Sequence, residues 1–315
     1  MAKIRTHVGR TALIASGILL LVVVGLGLYS RTEGFRDRLR EKVVAALNQS
    51  VRGQISLRRV QGSIWANLVL SDLSVRYQGE VLLAVPRITA SYRLLPLLRG
   101  RLEVDSLRVV GVVVRAKQDA QGHWNLAEAL SARKPEAEEG EGLPLTVALD
   151  AVVLRGRRVD LRLQGGQSYH LTDTELNAQV MLGPASIAAE VSRLATRLTA
   201  SGIPPVQMDA ALAYQDATPP ATARVKRLVL STPLSRLRFA GELRDLKTPH
   251  VEASMLIDKL AAAEVRKFVP DLGLKSDVMG SLVVRGLLSE LQASLKLAAA
   301  QSRITGELRA DVSGA

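Results

Sequence analysis

The chain contains no cysteine, which excludes a disulfide framework, a cysteine-ligated zinc site and thiol catalysis. Aromatic residues make up only 3% of its 315 residues, too few for recognition by ring stacking. The histidines, His7, His123, His170 and His250, are scattered, and none has a second histidine or a carboxylate at metal-ligand spacing. No G-x-S-x-G elbow, Walker loop or strand-following G-x-G-x-x-G occurs. Gly25-Leu26-Gly27 lies inside an apolar run, and Glu138-Glu139 lies in a polar stretch. Asp72, Asp105 and Asp150 precede apolar strands at positions where Asp forms turns. The expectation is a protein that is not an enzyme and needs no metal and no cofactor.

What the chain does have is aliphatic surface and positive charge. Hydrophobic residues are 47% of the total, and the formal charge is +12. The basic residues are dispersed (Arg58, Arg76, Arg87, Arg93, Arg108, Arg115) along an alternating pattern and form no single patch. That spacing puts them on the wet face of strands, and no nucleic-acid partner is expected.

From Ser56 to Ala116 apolar residues recur at every second position: Leu68 and Leu70, then Leu73 and Val75, then Leu83 and Val85, then Ile88. Leu102, Val104, Leu107, Val109, Val112 and Val114 continue the series. A period of two places these side chains on one face of a sheet. The alternation slips at Asp72, Gly79, Pro86, Ser106 and Gly111, which predicts turns or bulges between successive short strands. The same grammar returns from Leu145 and is still running at Arg303–Val312, so the sequence reads as part of something longer.

Two segments depart from it near the N-terminus. Ala12 to Leu28 is uncharged and apolar, with Ala12, Leu13, Ile14, Leu19, Leu20, Leu21, Val22, Val23, Val24, Leu26 and Leu28 as the membrane-contacting set. Its length suits one membrane-spanning helix, with a cleaved signal peptide as the rival. Residues Glu33 to Ser50 read as a helix with Phe35, Leu39, Val43 and Leu47 on one face, either lying along lipid or capping the first sheet edge. Further on, Asp258–Val269 reads as a helix with Asp258 as its N-cap. The expected organisation is a cytoplasmic tip and anchor (1–30), a juxtamembrane helix (31–52), a β segment (53–130), an acidic linker (131–144) and a second β segment (145–315). Alternation alone fits an open trough and a closed β-sandwich equally.

Ordered motifs carry a resemblance. G-Q-I-S-L-R-R-V-Q-G-S-I at Gly53–Ile64 is followed by L-V-L-S-D-L-S-V-R-Y-Q-G at Leu68–Gly79 and L-L-R-G-R-L-E-V-D-S-L-R-V-V-G-V-V-V at Leu97–Val114. G-H-W-N-L at Gly122–Leu126, V-P-D-L-G-L at Val269–Leu274 and G-S-L-V-V-R-G-L-L at Gly280–Leu288 complete the set. The order resembles the AsmA-like family, and within it the start of the translocation and assembly module group, TamB. That resemblance implies a mainly β fold: a transmembrane helix followed by an elongated, curled, antiparallel-type sheet forming a groove. It further implies a single-pass inner-membrane protein with its bulk in the periplasm, carrying phospholipid acyl chains between two membranes. A TamA-type outer-membrane barrel is the implied partner, and a scaffold for outer-membrane proteins and autotransporters is the implied alternative role. On this reading Leu68, Leu70, Leu73, Val75, Leu83, Val85, Ile88, Leu102, Val104, Leu107, Val109, Val112 and Val114 line the groove. Val75→Arg or Val104→Glu should then impair transport and leave the fold intact.

Overall fold

A computed structural model describes residues 33–63, 65–131, 146–184, 186–216, 220–245, 248–268 and 274–312. The 12–28 run and the 131–144 linker, apart from Ser131, lie outside the described residues. Among the described residues no helix is long and apolar enough to cross a membrane.

Helix α1 (Glu33–Ser50) leads into β1 (Gln54–Ser63), β2 (Asn67–Tyr77), β3 (Glu80–Arg93) and β4 (Arg101–Lys117). A short helix α2 (Asn125–Leu130) precedes β5 (Thr146–Arg162), β6 (Ser168–Gly183), β7 (Ser186–Ala200) and β8 (Ile203–Gln215). Then come β9 (Thr222–Ser231), β10 (Arg236–Arg244), β11 (His250–Leu260), helix α3 (Ala262–Phe268), β12 (Val278–Leu287), β13 (Leu291–Ala299) and β14 (Ser302–Ala310). Among the described residues all strands belong to one 14-stranded sheet whose spatial order is the sequence order. The antiparallel expectation holds at every junction but one: β4 and β5 pair in parallel, bridged by the crossover that carries α2. A parallel pair needs such a long return.

The slips in alternation lie mostly inside strands. Asp72 stands opposite Pro86, and Pro86 opposite Gly111. Asp72 and Gly111 both have left-handed backbones (φ 56° and 80°), and Asp173 on β6 does too (φ 52°). A Cβ on Gly111 would come within 3.1 Å of the Pro86 ring, so glycine is required both for φ and for space. These residues form a crease across β2–β6 that flips the side-chain alternation without ending a strand. A second crease is a run of β-bulges. Register shifts fall at Leu149/Val152 on β5, Asn177/Ala178 on β6, Val191/Leu194 on β7 and Ala211/Leu212 on β8, each opposite the next, and at Phe239/Gly241 on β10, which faces the Val225–Leu228 stretch of β9 from the other side. Bulges bend strands and increase local twist, and a row of them curls the sheet.

Among the described residues the curl does not close. Strand contacts join sequence neighbours, and Leu82 is the only large side chain that is fully buried among the described residues. The small core at β1–β3 comprises Ile55, Val75, Leu82 and Ala129, sealed by α2. α1 covers the outer edge of β1: the Asn48 amide donates to the Ile55 carbonyl at 2.9 Å and accepts from the Ile55 N–H at 2.5 Å. Of the two readings for this helix, the edge cap is what the structure shows. The expected Asp258 N-cap is corrected. Asp258 lies in β11, held by Arg236 and Arg238, and α3 is capped by Asp277, which accepts from the Ala262 N–H at 3.0 Å.

Candidate functional site: an apolar trough

Directly paired residues share a face, so the ladders can be followed from strand to strand. One row runs Val60, Leu70, Ile88, Val109, Leu154, Leu176, Leu194, Ala210, Leu228, Phe239, Met255, Leu282, Leu295 and Gly306. It crosses every strand and contains no polar side chain. At about 4.8 Å per strand it extends on the order of 60 Å. A second row, Leu68, Ala90, Leu107, Val152, Ala178, Val191, Leu212, Val225, Gly241, Ala253, Val284, Ala293 and Leu308, runs beside it from β2 to β14. Ile55, Val75, Leu83, Val114, Val159, Leu171, Leu198 and Val206 form a third over β1–β8. Most of these side chains are half-buried, as expected of walls that flank one another with no covering layer among the described residues.

The groove-lining candidates all fall on this face. Leu70, Ile88 and Val109 lie in the first row, Leu68 and Leu107 in the second, and Val75, Leu83 and Val114 in the third. Leu73 pairs with Val85, Leu102 with Val147, Val104 with Leu149, and Val112 with Gly156. Val75 is 2% exposed and lies beneath α2, so it belongs to the small core and not to the open trough. Sequence reasoning passed over Leu82, which a bulge beside Val75/Arg76 turns into that core. It also named no lining residue beyond β4, although the same alternation marks Leu154, Leu176 and Leu282.

The opposite face carries the charge. Arg155 and Arg193 flank Glu175 at 4.0 and 3.6 Å, and Arg193 and Arg227 flank Asp209 at 3.9 and 2.6 Å. This ladder steps across β5–β9. Glu242 lies between Arg224 (2.9 Å) and Arg244 (2.7 Å). Hydrogen bonds from Arg244 and Arg224 hold its carboxyl at about 2, well below the usual range. His170 Nδ1 meets Asp160 at 2.6 Å, and Arg158 joins the same carboxylate at 2.7 Å. A concavity of about 630 Å³ on this face is bordered by Arg193, Arg197, Arg227, Arg236 and Arg238, each already paired with a carboxylate. Among the described residues no group of acidic residues and histidines could hold a metal ion.

Two helices fringe one long rim of the trough. α2 closes the end at β1–β3, and α3 packs near β8, with Ala261, Ala262 and Val265 buried. Burial would raise the Glu264 carboxyl, but hydrogen bonds from Ser235, Thr232 and the Leu234 N–H outweigh it and lower its pKa. The arrangement presents a continuous apolar face along the length of the sheet.

The AsmA family model matches residues 6–309. No curated protein and no solved structure matches the chain.

Proposed function

The chain belongs to the AsmA family, and on that premise we propose that its trough conducts phospholipid acyl chains between the inner and outer membranes of a diderm envelope, in the manner of TamB. The observation that supports this is the apolar row from Val60 to Leu295, unbroken by any polar side chain. Moving an acyl chain through water costs about 0.8 kcal/mol per methylene, so a sixteen-carbon tail faces a barrier of about 12 kcal/mol. A continuous aliphatic track removes that barrier. Without a polar anchor in the row the lipid is not held, and it slides. Anchoring by residues 12–28, with the bulk of the chain in the periplasm, belongs to the same proposal.

The test is photo-crosslinking in cells from positions 154 and 194, both half-buried in the open trough. Phospholipid adducts at both positions are expected, and protein adducts alone would overturn the conduit. One observation favours a second role. Among the described residues β14 is the last strand of the sheet, with Ile304 59% and Leu308 64% accessible, and an edge strand can accept an added strand from an outer-membrane client. Crosslinks from position 304 to outer-membrane proteins would support that role.

A further inference from the structure

The two most exposed large hydrophobic residues among the described residues, Leu98 (87%) and Leu95 (82%), are neighbours in a 3₁₀ turn at Leu95–Arg99. The turn joins β3 to β4 on the rim opposite the two short helices. Pro96 starts it, and the left-handed Gly100 closes it by donating to the Leu97 carbonyl. The β1–β2 turn is alongside, since the Tyr92 N–H donates to the Ala66 carbonyl at 2.9 Å and Asn67 pairs with Ser91. That second turn presents Trp65, 53% exposed. Among the described residues Leu95 and Leu98 pack against no core.

The place where the remaining chain enters identifies what covers this tip. α1 runs back along β1, because Asn48 engages Ile55 while Arg40 donates to the Arg58 carbonyl. Its first residue, Glu33, is about 10 Å further on in the same direction, at 1.5 Å per residue. That direction leads toward the β1–β2 turn and Trp65. The start of α1, to which residues 1–32 connect, therefore lies toward the rim that carries the greasy tip. Tryptophan beside leucine, with Arg99 and Arg101 next in the chain, is the composition of a segment at the headgroup level of a bilayer.

We propose that the Trp65/Leu95/Leu98 tip inserts into the interface of the membrane that holds residues 12–28, seating the β1–β4 end of the trough on the lipid surface. The proposal rests on the anchored reading but not on lipid passage along the trough.

The chain has no cysteine, so single labels are clean. The full chain carrying Leu98→Cys or, as control on the opposite rim, Leu234→Cys (Leu234 is 50% exposed) is labelled with an environment-sensitive fluorophore. It is reconstituted into phosphatidylcholine/phosphatidylglycerol vesicles with and without doxyl-labelled lipid. The emission at position 98 should fall at least twofold with doxyl lipid, and that at position 234 should not change. Equal, unquenched emission at both positions would overturn the tip. A Leu95→Asp change in the Leu98→Cys chain should abolish the quenching, and quenching that persists also counts against the proposal. Lipid adducts at positions 154 and 194 are scored separately, so a failed tip and a failed conduit are told apart.

Discussion

Val75 and Val104 lie on the same face, yet a charge has different consequences at each. Val104 is half-buried along an open wall, and an introduced carboxylate can reach water from there. Val104→Glu should keep a cooperative urea transition with its midpoint little changed, while lipid adducts fall. Val75 is sealed beneath Ala129 and Leu82. Val75→Arg buries an unpaired charge at a cost of several kcal/mol and should unfold the β1–β3 end, seen as lost amide protection there. The sequence-level expectation that both substitutions spare the fold is thus revised for Val75. Alternation identified the face, but burial is decided by a helix that arrives from beyond β4. Glu242 gives a pH dependence. Its folded pKa is depressed to about 2, so the stability it contributes is present above its unfolded pKa of about 4.3 and is lost as pH falls toward 2. Glu242→Gln should flatten the acid limb between those limits in pH-dependent urea melts, with a smaller effect expected near pH 2.

At the scale of elements, strand identity was legible and strand length was not. A break at Asp72, Pro86 or Gly111 looks the same in sequence whether a strand ends or creases. Only the ladder, in which the three breaks stand opposite one another, shows a crease. Asp258 failed as a cap for a similar reason: its partners Arg236 and Arg238 lie on the neighbouring strand, while the actual cap, Asp277, comes from beyond the helix. The α1 edge cap is testable. Asn48 satisfies both backbone groups of Ile55, so Asn48→Ala leaves them to water or to another chain. It should cost about 1–2 kcal/mol and promote concentration-dependent self-association, read by analytical ultracentrifugation.

For the whole molecule the relevant quantity is continuity. A conduit is only as good as its worst step, whereas a packed core averages over many contacts. Leu194 stands near the middle of the first row, between Leu176 and Ala210. Leu194→Asp should leave the sheet folded and should divide the track. Lipid adducts from position 154 should persist or rise, and those from position 282 should fall by an order of magnitude or vanish. Adducts that drop equally at both positions would mean independent binding pockets in place of a continuous path. This continuity was not visible locally, because it depends on the parallel β4–β5 pairing that joins the two halves across the linker.

That each strand hydrogen-bonds to its neighbours in sequence among the described residues also bears on how such a molecule can change over generations. Duplicating or deleting one hairpin would alter the reach by about 10 Å without repacking anything elsewhere, as links are added to or taken from a chain. If the sheet conducts lipid as proposed, its span could then be adjusted in small increments, with the same local chemistry at each step.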